Sequence, residues 1–65
     1  MDQTEFQKYL KAAHEYYSRL NVVPDRDDLV SCIADFVADD RGCEYYDVIG
    51  EVEEAYGPVS ETVGD

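Results

Sequence analysis

Glu44, Asp47, Glu51 and Glu54 follow one another at spacings of three, four and three residues. On a helix those intervals line four carboxylates along one face, one above the next at steps of roughly 5 Å. Asp28, Asp35 and Asp39 repeat a similar phasing one helix earlier in the chain. Like charges at such intervals destabilise an isolated helix by a few tenths of a kcal/mol per pair, a cost that solubility alone does not require. Two such rows on neighbouring helices would make a concentrated negative field suited to a basic protein surface, the carboxylates standing in for nucleic-acid phosphates. The plainer alternative is a solvated face on an acidic domain. Tyr46, bordered by Gly50 and Glu53, adds a ring that could hold an arginine or lysine, or could cover the edge of a small core.

Other chemistries lack their residues. Carboxylates acting as acid and base need a concave, desolvated pocket, and 65 residues leave little room for one. Ser18, Ser31 and Ser60 have no evident base partner, and no nucleophile elbow, phosphate loop or Cys-His arrangement is present, so no enzymatic activity is expected. His14, the only histidine, has no neighbouring ligand and reads as a solvated or core-edge histidine. Asp25, Asp27 and Asp28 begin like a calcium loop, but Val30 stands where that loop needs glycine and Phe36 where it needs glutamate. Neither metal nor cofactor is expected. Cys32, inside a helix ending near Asp40, would lie about 12 Å along the axis from a turn holding Cys43, so both cysteines are expected as thiols, with Cys32 beside the core.

The charge is divided along the chain. Of 16 acidic residues, 13 follow residue 20 against two basic ones, while residues 1–20 carry three of each, so the formal charge of −11 sits on the last two thirds. That division predicts a packing segment and a display segment. A pI near 4.1 opposes direct binding to DNA, RNA or an anionic membrane, each of which requires a positive patch. Without a basic leader or an apolar run of membrane length, a cytoplasmic location is the default expectation. Small acidic chains of this kind recur in phages and other mobile elements, an analogy of gross composition.

The elements that must position the carboxylates read as helices. Asp2 or Thr4 can cap a first helix, on which Phe6, Tyr9, Leu10, Ala13, Tyr16, Tyr17 and Leu20 form one broad apolar face that Asn21 ends. Val22, Val23 and Pro24 connect it to a second helix capped by Asp25, with Leu29, Val30, Ile33, Phe36 and Val37 inward and Gly42 as its left-handed stop. A third helix is expected from about Glu44 to Tyr56, burying Tyr45, Val48, Ile49, Val52, Ala55 and Tyr56 before Gly57 and Pro58. Gly50 within it implies either simple tolerance, the favoured reading, or close approach of another backbone. The fold class expected is all-α, one three-helix domain over residues 1–57, the first helix packed across an antiparallel hairpin of the other two. Residues 58–65 are expected as a mobile acidic tail.

Two functions fit this frame. The first is a non-enzymatic regulator or inhibitor whose Asp28, Asp35, Asp39, Glu44, Tyr46, Asp47, Glu51 and Glu54 engage a basic protein, with nucleic-acid-binding proteins as one such class. Reversing Glu44, Asp47, Glu51 and Glu54 is then expected to leave the helices intact, because these positions lie off the apolar stripe. The alternative is a structural or accessory module that homodimerises through the tyrosine-rich first helix, its acidic face serving only solubility.

Overall fold

Each helix begins where a carboxylate can meet backbone N–H groups that no preceding turn satisfies. In a computed structural model, which describes residues 1–57, these starts give α1 (Gln3–Arg19), α2 (Arg26–Arg41) and α3 (Tyr45–Tyr56). Asp2 accepts from the Thr4 amide at 3.1 Å. Asp25 accepts from the Asp28 amide at 2.9 Å, and the Asp28 carboxylate receives the Asp25 amide at 3.4 Å, which closes a capping box. The Asp47 carboxylate receives the Glu44 amide at 3.4 Å at the start of α3.

The stops are equally local. Asn21 takes a left-handed φ of 57° after α1, a conformation asparagine tolerates better than most residues. Gly42, at φ 70°, ends α2, and the following Cys43 amide turns back to the Ala38 carbonyl at 3.0 Å. That turn brings α3 back along α2, and the far end of the hairpin is tied as well. Arg26 at the start of α2 donates to the Gly57 carbonyl at 2.9 Å and lies over the Tyr56 ring at 5.2 Å. The pair is therefore antiparallel, and α1 packs on both members.

α2 is the central element. Its buried residues are Leu29, Val30, Cys32, Ile33, Ala34, Val37 and Ala38, against Phe6, Tyr9 and Ala13 of α1 and Val48 and Val52 of α3. Ile33, Val37, Val48 and Val52 are the largest side chains fully removed from water. Phe6 meets Tyr56 edge to face at 5.9 Å, which closes α1 onto α3. Several expected core positions differ. Phe36, Ile49, Leu10 and Tyr45 are only half-buried, while Tyr16 and Leu20 are exposed. Conversely, Ala34 and Ala38 join the core because α2 is covered on two sides, so its buried face is wider than one stripe.

Both cysteines are free thiols, Cys32 buried and Cys43 exposed, and burial pushes the Cys32 thiol up from its ordinary pKa. Among the described residues nothing lies within 4 Å of where a Cβ at Gly50 would stand, so none of their backbone approaches it. Gly50→Ala should therefore stabilise the domain by about 1 kcal/mol through helix propensity, read as a raised midpoint in urea unfolding. An unchanged or lowered midpoint would mean that the glycine has a packing role. No helix among the described residues is long and apolar enough to cross a membrane. The expected tail, residues 58–65, lies outside the described residues.

Candidate protein-binding surface

The acidic side chains divide according to what already holds them. Glu51 is fully engaged. Arg41, one of two basic residues after residue 20, leaves the end of α2 and grips the Glu51 carboxylate with both guanidinium nitrogens, at 3.0 and 3.1 Å. The Met1 amino group adds a contact at 3.2 Å, and Glu5 of α1 lies 4.0 Å from Arg41 on the other side. Three helices thus meet at one ionic clasp. Hydrogen bonds from Arg41 and from the amino group hold the Glu51 carboxyl down to about 2.

Asp28 and Asp47 are partly engaged too, since their carboxylates serve the helix starts described above. The expectation that reversing Glu44, Asp47, Glu51 and Glu54 would spare the helices is corrected on this geometry. Lysine at 51 would oppose Arg41 directly, and lysine at 47 would place a cation at the positive end of α3.

What remains free is a different set. Asp35 and Asp39 are exposed along α2, and Glu53 and Glu54 along α3; none of the four carboxylates makes an ion pair or side-chain hydrogen bond among the described residues. Tyr46 stands 81% exposed, so it does not cover the core edge. Its ring is held edge to face by Tyr45 at 5.3 Å. Between α2 and α3 runs an open groove of about 400 Å³, lined by Asp27, Asp28 and Glu53 over Val30, Ser31, Tyr45 and Ile49. The Tyr45 hydroxyl donates to Ser31 across it at 3.3 Å. Val30, Ile49 and the Tyr45 ring beneath these carboxylates offer packing for the methylenes of a long cationic side chain whose head stays paired at the rim.

Of the residues expected at the site, Asp28 lines this groove, Asp35, Asp39, Tyr46 and Glu54 face solvent, and Glu44 and Asp47 sit at the α3 start. Glu51 is turned to the clasp. Asp27 escaped sequence reasoning and Glu53 entered it only as a neighbour of Tyr46, because neither belongs to a row; both line the groove only once the hairpin is formed. The clasp left one signal: with two arginines among 13 carboxylates after residue 20, each arginine has carboxylates competing for it. His14 is exposed, and no group of three or more His, Cys, Asp or Glu among the described residues could hold a metal ion.

One further polar contact lies apart from this surface. The Tyr9 hydroxyl donates to Asp40 at 2.6 Å, linking α1 to the end of α2. That hydrogen bond, with burial second, pushes the Tyr9 pKa up to about 12. Burial also raises Tyr17, whose hydroxyl reaches the Asp28 carbonyl at 3.3 Å.

Opposite limbs of the pH profile follow from these shifts. Glu51 titrates below its unfolded value of 4.5, so its contribution is present above that pH and is lost as pH falls towards about 2. Tyr9 titrates above its unfolded value of 10.0, so its contribution is present below that pH and is lost as pH rises towards about 12. Melting temperature should decline on both sides. Glu51→Gln should flatten the acid limb, and Tyr9→Phe should shrink the alkaline limb and remove the latest step in tyrosinate absorbance. Wild-type limbs in both variants would contradict these assignments.

The geometry defines a three-helix domain with an acidic face built on its hairpin. The chain matches no protein-family model, and neither curated proteins nor solved structures show a significant match to it.

Proposed function

We propose that the protein is a non-enzymatic regulator or inhibitor that occupies a basic surface on another protein through the outer faces of α2 and α3. The observation that carries this reading is the set of exposed carboxylates without partners among the described residues, Asp35 and Asp39 on α2 and Glu53 and Glu54 on α3, with Glu53 joining Asp27 and Asp28 at the groove and the exposed Tyr46 on the same helix. α1 carries three of the five Lys and Arg residues, and none pairs with these positions among the described residues.

The partner is a protein presenting arginine and lysine in a row. A nucleic-acid-binding surface is one such arrangement, because it presents its cations to a line of phosphates and the free Asp35 and Asp39 stand in line one turn apart, about 6 Å along α2. Tyr46 supplies the aromatic face on which a guanidinium stacks. The field of a chain with formal charge −11 also speeds encounter with such a partner.

The test is capture on the immobilised chain at low salt, followed by a rising salt ramp. A basic protein released as screening shortens the field is the expected result. Capture dominated by acidic or neutral proteins that resist the ramp would oppose the proposal.

A further inference from the structure

The C-terminal half of α1 and the connector that follows it expose an apolar surface that the core leaves uncovered. Tyr16 is 47% exposed, Leu20 52% and Val23 94%. Tyr16 meets Phe36 of α2 edge to face at 6.5 Å, and with Ala12 these rings line an open depression of about 300 Å³. Glu15 and Arg19 flank it, one turn apart and opposite in sign.

We propose that this face seats a second copy of the chain, in an antiparallel α1 pair centred near Tyr16. Charge selects the occupant. Two chains of formal charge −11 repel wherever their carboxylate-rich faces meet, and residues 1–20 are the stretch with no net charge. Lys8, Lys11 and Arg19 make no ion pair among the described residues, so a basic partner has no reason to settle here. A nucleic acid is repelled by the rest of the molecule.

The face is also self-complementary. A two-fold axis near Tyr16 makes every contact occur twice, with the roles of the two copies exchanged. Antiparallel α1 helices crossing between Tyr16 and Tyr17 then bring Glu15 of each copy and Arg19 of the other to within about 1.5 Å along the axis, one residue rise, and Ala12 equally close to Leu20 of its partner. The pair leaves both α2–α3 faces outward, so one dimer displays two acidic surfaces to a partner with repeated sites.

Sedimentation equilibrium of the isolated chain over a concentration series tests this without any heterologous partner, so its failure leaves the acidic-face proposal standing. A reversible dimer is expected, tightening with added salt as repulsion is screened, opposite in sign to capture by the acidic face. Leu20→Lys should weaken it about tenfold or more while helical circular dichroism is unchanged, since Leu20 is not part of the core. Glu15→Arg and Arg19→Glu should each weaken it, and an equimolar mixture of the two should dimerise again, because each new charge then meets its opposite. A monomer at every concentration, a dimer indifferent to Leu20→Lys, or a mixture no tighter than its components would overturn the proposal. The last result would point instead to a head-to-tail contact between α1 and an acidic face.

Discussion

Ile33→Ala should leave little folded protein at 37 °C. Ile33 is fully buried at the centre of α2, between α1 and α3, and removing its outer carbons opens a cavity that helices covered on both sides can close only in part. The cost for such a change is roughly 2–5 kcal/mol. A domain of this length has a total stability on the order of 3–5 kcal/mol, so one substitution can consume it. Urea unfolding followed by circular dichroism should show a midpoint near zero denaturant. Phe36→Ala and Ile49→Ala, at half-buried positions, should cost distinctly less. A cooperative transition for Ile33→Ala close to that of the wild type would contradict the core assignment.

Reversing the free carboxylates should have the other large effect, this time on binding. Asp35, Asp39, Glu53 and Glu54 changed to lysine should weaken the captured partner's affinity by roughly a hundredfold or more, since attraction becomes repulsion at four points. Folding should survive. These side chains serve no cap and no ion pair among the described residues, and lysine is a good helix former. A variant reversed at Glu51 and Asp47 would be a poor substitute, because loss of the clasp and of the α3 start could unfold the chain and mimic lost recognition. Retained capture by the quadruple variant, with its circular dichroism intact, would mean that the acidic face only solubilises.

The helix ends were legible in the sequence because they depend on near neighbours. Asp25 with Asp28, Asn21, Gly42 and Gly57 each act within a turn, so their chemistry can be read without knowing the fold. Ile33, Val48 and Val52 were legible through periodicity. Ala34 and Ala38 were not, since alanine suits surface and core alike and only the presence of α3 decides between them. Tyr16 and Leu20 had the right phase and the wrong environment. α1 has 17 residues where α3 has 12, so the last turns of α1 outrun what the hairpin can cover.

The same division runs through the acidic face. Its rows are a local, helical property and were visible in the spacing. Which carboxylates are spent on structure is a tertiary property: Glu51 answers Arg41 from ten residues away across a turn, and Asp40 answers Tyr9 across 31 residues. A row of charges in sequence therefore overstates the free charge on the surface.

The most direct test of the central claim is to map the captured partner by amide chemical-shift perturbation on the labelled chain. Binding through the hairpin predicts shifts concentrated around Asp27, Asp35, Asp39, Tyr46, Glu53 and Glu54, with α1 largely silent. Shifts clustered at Ala12, Tyr16, Leu20 and Val23, with the acidic face unmoved, would contradict it.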